Sequence, residues 1–161
     1  VNIVDINHEM LIEGNKISIN NNLSKKCNFI CSQGESIALE DNYADIVTIS
    51  FGIRNVSNRE ECLRECLRIL KPGGIFMCME FSLPKDIILR NLYDAWSYAL
   101  IPKFGKLIVG EEKPYKYLVD SIRTFPSPEE FSDIILKVGF VKNTIRQLTG
   151  NIVCIYRAEK I

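Results

Sequence analysis

One long and largely apolar run constrains this chain more than any other feature. Residues 44–51 read ADIVTISF, and a strand that is apolar on both sides is typical of a parallel sheet covered on both faces. The run ends at Gly52 and is followed by Arg54 and Asn55. A charged guanidinium and an amide therefore stand at the tip of a strand that is otherwise predicted to be buried.

Other strands and helices alternate along the chain around this run. Further strands are predicted at Val1–Asp5, Cys27–Cys31, Ile75–Phe81, Val141–Leu148 and Asn151–Glu159. Helices are predicted from Asn7 towards Asn20, after residue 57, and from Glu129 to about Val138. This alternation favours crossover units and a mostly parallel sheet. The last strand is expected to be antiparallel to its neighbour, because only Thr149 and Gly150 separate the two.

The second of these helices has a predicted start and stop. Residues 57–60 read SNRE, the S-x-x-E pattern of a capping box in which Ser57 is the N-cap. Leu63, Leu67 and Leu70 then share one stripe of the helix. The Pro-Gly-Gly sequence at 72–74 is expected to end it.

Composition excludes several classes of function. Lys and Arg total 20, as do Asp and Glu, so no polybasic patch predicts a nucleic-acid partner. No segment reaches the roughly 18 apolar residues of a membrane span. The spacing of the six cysteines matches neither a zinc site nor a disulfide framework. They are interpreted as reduced thiols packed like small apolar side chains in a reducing compartment, and no metal site is predicted.

Ligands of parallel sheets bind at the carboxyl ends of the strands. Three such ends carry polar groups here, after Asp5, after Cys31 and after Ser50. A strand-terminal acid such as Asp5 is typical of a ribose-binding site, and it is also typical of a helix cap. No Gly-rich turn precedes Asp5 and no P-loop is present, so the residues alone support neither a dinucleotide nor a triphosphate site.

Three sequence blocks carry a family resemblance. Residues 68–82 read RILKPGGIFMCMEFS, residues 41–56 read DNYADIVTISFGIRNV, and residues 116–122 read KYLVDSI. Together they resemble the ubiquinone/menaquinone biosynthesis C-methyltransferases, with Ile69 in place of valine as the one departure. The VDIN stretch with Met10 and Leu11 is similar to an acidic-loop region of that family, and the resemblance covers essentially the whole chain in order.

The resemblance implies a Rossmann-like class I methyltransferase fold with seven strands that binds S-adenosyl-L-methionine. By that resemblance Asp5 would hold the ribose hydroxyls, Gln33 and Gly34 would border the adenine, and Ser50 would contact the methionine portion. The family's first strand and Gly-rich loop lie upstream of Val1, so the chain is expected to be N-terminally truncated. A polypeptide without that loop is expected to bind the cofactor weakly or not at all. Residues 1–161 are predicted to be one domain with an insert at about 84–126.

The reaction implied by the resemblance moves a methyl group from a sulfonium to a ring carbon of a prenylated benzoquinol or naphthoquinol. Deprotonation of the neighbouring phenol makes that carbon nucleophilic. Arg54 is predicted to stabilise the phenolate, because a guanidinium stays charged and offers several donors. Asn55 is predicted to orient the ring by hydrogen bonding. The alternative for Arg54 is a structural ion pair with an acid such as Glu80.

The insert is predicted to contribute to the acceptor pocket. Tyr93 and Tyr98 either line that pocket or belong to an ordinary helix, with Asp94 beside them. The region from Trp96 to Val109 is either an apolar wall with membrane-surface contact or ordinary core packing, and packing is favoured. No general base is evident, and His8 is interpreted as a surface residue at a helix start.

The resemblance also implies partners and a location. The expected partners are the prenylated quinol, a peripheral contact with the membrane and a complex of quinone-biosynthesis proteins. The expected location is the cytoplasm, at the inner membrane, with the mitochondrial matrix as the alternative.

Two other functions stay open. One is a class I methyltransferase acting on oxygen or nitrogen of a small molecule, and the other is a non-catalytic fragment that acts as a partner protein.

Overall fold

The computed structural model describes residues 1–99 and 113–161, without the side chains of residues 96–99. The strands are β1 (Asn2–Asp5), β2 (Asn28–Cys31), β3 (Ala44–Ser50), β4 (Leu70–Phe81), β5 (Val141–Leu148) and β6 (Val153–Glu159). The helices are α1 (His8–Asn20), α2 (Arg59–Ile69), α3 (Ile87–Ala99), α4 (Lys113–Arg123) and α5 (Pro128–Val138). Short 3-10 turns occupy residues 24–26, 53–55 and 149–151. In this part of the chain no helix has the length and apolar character that crossing a membrane requires.

The described strands form two sheets. One contains the parallel pair β1 and β2, and the other has the order β3-β4-β6-β5. Strands β3 and β4 are parallel, whereas β6 runs antiparallel to both of its neighbours. The predicted antiparallel ending is therefore confirmed. The sequence alternation predicted a mostly parallel sheet and did not predict this division into two ladders.

One face of the larger sheet carries the hydrophobic core and is called the core face. Its strand residues include Val47, Phe76, Cys78 and Tyr156, which pack against α2 and α5. The fully buried side chains on those helices include Leu63, Phe131 and Ile135. Since burial of each large apolar side chain contributes about 1.5–3 kcal/mol, this layer is the main source of stability for the described fold.

The cysteines divide between the core and the surface. All six are free thiols, and Cys62, Cys66, Cys78 and Cys154 are buried. Burial raises the pKa of the Cys78 thiol, which keeps it protonated and unreactive. The predicted role as small apolar side chains is confirmed for these four. It is wrong for Cys31, which is exposed at the end of β2.

The opposite face of the larger sheet is called the second face. Its residues alternate in register with those of the core face and include Ile46, Thr48, Ser50, Ile75, Met77, Met79, Ile155, Arg157 and Glu159. Helix α1 covers the corresponding side of β1 and β2, where Gly14 lies directly against the Phe29 ring. Val4 alternates with Ile3 along β1 and packs against the core cluster, so α1 and the core lie on opposite sides of that strand.

Helix α2 begins and ends differently from the sequence prediction. Asn58 is the N-cap and accepts a hydrogen bond from the backbone of Glu61 at 3.1 Å. The predicted capping box at Ser57 is therefore wrong by one residue, because an asparagine caps as well as a serine. The helix ends at Ile69, before the Pro-Gly-Gly sequence, and Leu70 already belongs to β4.

The start of β4 contains a β-bulge that accommodates the Pro-Gly-Gly sequence. Ala44 pairs with Leu70, whereas Ile46 pairs with Ile75, so the extra residues lie on β4. Gly73 has a φ of +80°, which is the region that glycine adopts without strain. A side chain on Gly74 would lie 2.8 Å from the carbonyl oxygen of Lys71. The two glycines therefore fit the strand for different reasons, one for conformation and the other for space.

The position of the α2 cap can be tested with a pair of alanine variants. Asn58→Ala is expected to lower the free energy of unfolding by about 1 kcal/mol, because it removes the acceptor for the first helical turn. Ser57→Ala, one residue earlier, is expected to change it by less than about 0.5 kcal/mol. Urea unfolding of both variants measures the difference, and a larger loss for Ser57→Ala would contradict the cap assignment.

Candidate active site

The site is built where β3 and β4 end side by side. The backbone N–H of Phe51 donates to the carbonyl of Met79 at 2.8 Å. Phe51 itself has a φ of +54°, an uncommon conformation for a non-glycine residue that turns the chain sharply. Its ring packs on that of Phe81 with a centroid distance of 4.5 Å. This stacking holds the turn, so residues 52–55 leave the sheet at its carboxyl edge.

A buried ion pair joins this turn to the end of β4. Arg54 Nη1 lies 2.8 Å from Glu80 Oε1, and the Arg54 backbone N–H donates to Glu80 Oε2 at 3.2 Å. The backbone N–H of Phe81 donates to Oε1 at 2.9 Å. The Glu80 side chain is fully buried and that of Arg54 is 11% exposed. A carboxylate at that depth requires a cation and hydrogen bonds, and it has both.

The pairing with Glu80 that the sequence allowed for Arg54 is thus present. It occupies Nη1, which also donates to the carbonyl of Phe51, and the guanidinium lies 5.5 Å from the centroid of the Phe81 ring. The Nε atom is buried and has no hydrogen-bond partner among the described residues. An unmatched buried donor is costly, and this donor of Arg54 is not satisfied by the described residues. Its catalytic role stays a prediction.

Arg59 adds a second cation beside the first. Its Nη2 donates to the Arg54 carbonyl at 3.3 Å, and its guanidinium lies 5.3 Å from the centroid of the Phe125 ring. Its Nε is likewise buried without a described partner. The sequence reasoning passed over Arg59, because it stands in the first turn of a helix where a charged residue is usually a solvated one.

Asn55 is hydrogen-bonded to a residue that lies far from it in the sequence. The hydroxyl of Tyr117 on α4 donates to Asn55 Oδ1 at 3.1 Å. This contact leaves the amide Nδ2 of Asn55 available as a donor, which is the group needed to orient an acceptor oxygen. Tyr117 belongs to the KYLVDSI block, but nothing in the sequence indicates that this block meets a residue 62 positions earlier.

The residues predicted to contact the cofactor lie at strand ends. Asp5 is exposed, and its Oδ1 accepts the Asn7 backbone N–H at 2.8 Å. The N-cap of α1 is Asn7, so the helix-cap alternative for Asp5 is not observed. Gln33 and Ser50 are also exposed. Within the described ranges no hydrogen bond joins Asp5, Gln33 and Ser50 to one another. Their role in cofactor binding stays a prediction.

The loop after β2 meets the segment that follows β3. A side chain on Gly34 would lie 3.0 Å from Cys62 Sγ and 3.8 Å from Val56, so the loop backbone lies directly on α2. Glu35 Oε1 accepts the Asn58 backbone N–H at 3.1 Å. Because of these contacts, the loop that carries Gln33 and Gly34 and the turn that carries Arg54 share one edge of the molecule.

Of the two pocket residues predicted in the insert, the structure describes the side chain of Tyr93. Tyr93 is half-buried on α3, and burial raises the pKa of its phenol. The neighbouring Asp94 is paired with Arg123 of α4 at 2.6 Å. The side chain of Tyr98 and most of the Trp96 to Val109 region lie outside the described residues. His8 is exposed as the first residue of α1, as predicted.

Comparison with solved structures defines the class of fold. The chain superposes on a S-adenosylmethionine-dependent methyltransferase from Aquifex aeolicus with a TM-score of 0.66 and 16% identity, covering 100% of this chain and 69% of that one. It superposes on the YcgJ protein of Bacillus subtilis with a TM-score of 0.64 and 14% identity, covering 99% and 82%. The fold is therefore the Rossmann-like α/β fold of class I methyltransferases, as predicted.

The family follows from the sequence itself. A profile of the ubiE/COQ5 methyltransferase family matches residues 1–160, and the chain belongs to that family. The ubiquinone/menaquinone biosynthesis C-methyltransferase UbiE of Bartonella henselae is 43% identical over 159 residues, which are 99% of this chain and 61% of that protein. The UbiE protein of Brucella canis is 42% identical over 161 residues, 100% of this chain and 60% of that protein. The chain thus spans about three fifths of the length of the curated relatives it matches.

The buried pair can be tested by removing one charge and then both. Arg54→Met leaves the buried Glu80 carboxylate without its cation and is expected to lower the free energy of unfolding by about 3–5 kcal/mol. The double variant Arg54→Met with Glu80→Gln removes both charges and is expected to recover most of that loss. Urea unfolding measures the three free energies.

The control is an arginine pair on the exposed side of α2. Arg64 lies 3.0 Å from Glu60 and its side chain is 51% exposed, so Arg64→Met should cost no more than about 1 kcal/mol. A loss in Arg54→Met that merely equals the loss in Arg64→Met would contradict the structural importance of the buried pair.

Proposed function

We propose that this chain forms the acceptor side and the ribose-binding side of a S-adenosyl-L-methionine-dependent C-methyltransferase. The acceptor is a prenylated benzoquinol or naphthoquinol of ubiquinone or menaquinone biosynthesis. The observation that carries the proposal is the strand-end turn with Arg54 and Asn55, in a chain 43% identical to a UbiE C-methyltransferase.

The residues at the strand ends fit the proposed cofactor. Asp5 presents an exposed carboxylate whose Oδ1 alone is engaged in the turn with Asn7 among the described contacts, and a carboxylate is the usual partner of a ribose diol. Gln33 and Ser50 are exposed and polar. Gly34 has no side chain and its backbone lies directly against Cys62. We propose that the adenine ring lies against this stretch of backbone. The bound cofactor would supply a methyl group on a sulfonium.

The chain's own residues would act on the acceptor ring. A ring carbon becomes nucleophilic when the adjacent phenol loses its proton, since the negative charge spreads onto that carbon. The Nε atoms of Arg54 and Arg59 are buried donors without a partner among the described residues, and positioned donors of this kind stabilise a phenolate more than water does. The Asn55 amide, oriented by Tyr117, would fix the ring so that the carbon faces the methyl group.

Proton removal need not involve a tyrosine base. Burial raises the pKa of Tyr93 above its ordinary value, so at neutral pH its hydroxyl stays protonated and donates. Asp94 is engaged by Arg123. Stabilisation of the phenolate by the arginine pair would lower the pKa of the bound phenol, and water could then accept the proton.

Partners and location follow from the same proposal. A prenylated acceptor is membrane-dissolved, so peripheral contact with the inner membrane is proposed, together with association with other proteins of quinone biosynthesis. The proposed location is the cytoplasm, with the mitochondrial matrix as the alternative. Free buried thiols agree with a reducing compartment.

Calorimetric titration with S-adenosyl-L-methionine tests the proposal. The 161-residue chain is expected to bind weakly but saturably, and Asp5→Asn is expected to lower the affinity at least tenfold, because an amide lacks the charge that a diol favours. The asparagine retains an Oδ1 acceptor for Asn7, so thermal unfolding should not change. Equal affinities of the 161-residue chain and of Asp5→Asn would contradict the proposed role of Asp5, and a folded chain that gives no binding heat would favour a non-catalytic partner protein.

A further inference from the structure

The segment between β2 and β3, residues 32–43, contains turns but neither a helix nor a strand. It is called the β2–β3 loop. Backbone N–H and C=O groups without secondary structure of their own need partners elsewhere. The first part of the loop carries Gln33 and Gly34, the two residues predicted to border the adenine. The contacts that hold the loop therefore decide where these two residues lie.

Ile37 anchors the loop in the hydrophobic core. Its side chain is buried and belongs to the same cluster as α2 and the core face of the larger sheet. Immediately before it, the backbone N–H of Ser36 donates to the carbonyl of Gln33 at 3.2 Å and closes a tight turn. Gln33 and Gly34 are thus connected to Ile37 by one short turn, so a displacement of Ile37 would move them as well.

Side chains of α2 bind both backbone groups of Ile37. Its N–H donates to Glu65 Oε2 at 2.8 Å, and its carbonyl accepts from Arg68 Nη2 at 2.9 Å. Two residues further along the loop, the carbonyl of Leu39 accepts from Arg68 Nη1 at 2.8 Å. The two side chains give Ile37 one acceptor and one donor, which is what a neighbouring β-strand would provide.

The geometry of this contact depends on the guanidinium of Arg68. Its Nε and Nη2 atoms donate to the two carboxylate oxygens of Glu65 at 2.7 and 2.8 Å, and Nη1 also donates to Asp41 Oδ1 at 2.7 Å. A planar fork of donors makes such a bidentate pair, whereas a lysine is a single point charge. The hydrogen bonds from Arg68 lower the pKa of the Glu65 carboxyl, so it stays an ionised acceptor at neutral pH.

Another arginine of α2 shows what an ordinary surface pair looks like. Arg64, one turn earlier, is 51% exposed and lies 3.0 and 2.9 Å from the carboxylates of Glu60 and Glu61 on its own helix. The side chains of Arg68 and Glu65 are 31% and 15% exposed, and they reach a loop about 30 positions earlier in the sequence. The second pair thus connects the helix to the loop, which stabilisation of a helix alone does not require.

We propose that Arg68 and Glu65 are positioning residues for the cofactor, because they hold the β2–β3 loop in the place where the adenine lies against it. The inference rests on the proposed function, since only that function makes Gln33 and Gly34 adenine-binding residues. The pair acts through the loop backbone. A loop that is already ordered spares the ligand the entropic cost of ordering it, so the affinity for the cofactor depends on the pair.

The test makes one substitution at two positions of the same helix. Arg68→Lys keeps the charge and loses the fork, and Arg64→Lys makes the identical change on the exposed side of α2. In calorimetric titration with S-adenosyl-L-methionine, Arg68→Lys is expected to bind about tenfold more weakly than the unaltered chain, because the loop must then be ordered on binding. Arg64→Lys is expected to bind as the unaltered chain does. Equal affinities of the two variants would overturn the inference.

Amide hydrogen exchange followed by NMR separates a positioning role from a general loss of stability. In Arg68→Lys the amide of Ile37 is expected to exchange about tenfold faster, because local opening of the loop becomes easier. The amides of β4 and β6 are expected to exchange at unchanged rates. Equal acceleration in the loop and in these strands would show that Arg68 acts on the whole fold, and would overturn the positioning role.

A second pair of variants keeps the test decisive if Arg68→Lys does not fold. Glu65→Gln retains an oxygen acceptor but loses the charge that binds both arms of the guanidinium. Glu61→Gln is its matched control, at an exposed residue of the same helix. Glu65→Gln is expected to weaken binding of S-adenosyl-L-methionine and to speed exchange at Ile37, and Glu61→Gln is expected to do neither. The same result for both glutamines would overturn the inference.

Failure of this inference and failure of the proposed function give different results. No binding heat from the unaltered, folded chain would count against the proposed function and would overturn the inference with it. Binding by the unaltered chain, with the same affinity in Arg68→Lys and in Glu65→Gln, would leave the proposed function standing and overturn the inference alone.

Discussion

The buried contact between Glu80 and Arg54 is the interaction on which the candidate site depends. Glu80 is the last inward-facing residue of β4 and is fully buried, so its charge can exist there only with a cation and several hydrogen bonds. The strand-end turn supplies both through the Arg54 side chain and its backbone N–H. The same contact that satisfies the carboxylate therefore sets the position of the guanidinium, and with it the direction in which Asn55 leaves the sheet.

This arrangement reconciles the two interpretations of Arg54. The ion pair neutralises the buried carboxylate through Nη1, while Nε remains a buried donor without a described partner. Arg59 adds positive charge through its bond to the Arg54 carbonyl. A structural pair and a site for an anionic oxygen can thus coexist in one side chain, because a guanidinium has five donors in a fixed plane.

The sequence predicted the fold more completely than the site. Strand and helix positions follow from apolar periodicity, which is a local property. The strand-end rule directed attention to Asp5, Ser50 and Arg54, whose functional roles stay predictions. The error at Ser57 arose because two adjacent residues, Ser57 and Asn58, are both good caps, and only the packing of the chain chooses between them. The Tyr117 contact and the second cation at Arg59 depend on pairs of residues far apart in the chain, which periodicity does not report.

The division into two ladders has a similar origin. Each of β1 and β3 is predicted as a strand from its own residues, but which strands become neighbours depends on the whole set of strands that is present. The exposed apolar residues of the second face, such as Ile46 and Met77, follow from the same absence of a neighbour in the described structure. The core face, by contrast, is complete, because α2 and α5 are held to the sheet by apolar contacts within the described chain.

Stabilisation of a phenolate on the acceptor is the role proposed for the Arg54 region. The most direct test is an optical titration of a demethylated quinol analogue bound to the protein, which reads the pKa of its phenol. We expect a bound pKa below that of the free analogue, and a return towards the free value in the double variant Arg54→Met with Glu80→Gln, which is expected to stay folded. A bound pKa equal to the free value, or one that the double variant leaves unchanged, would contradict it.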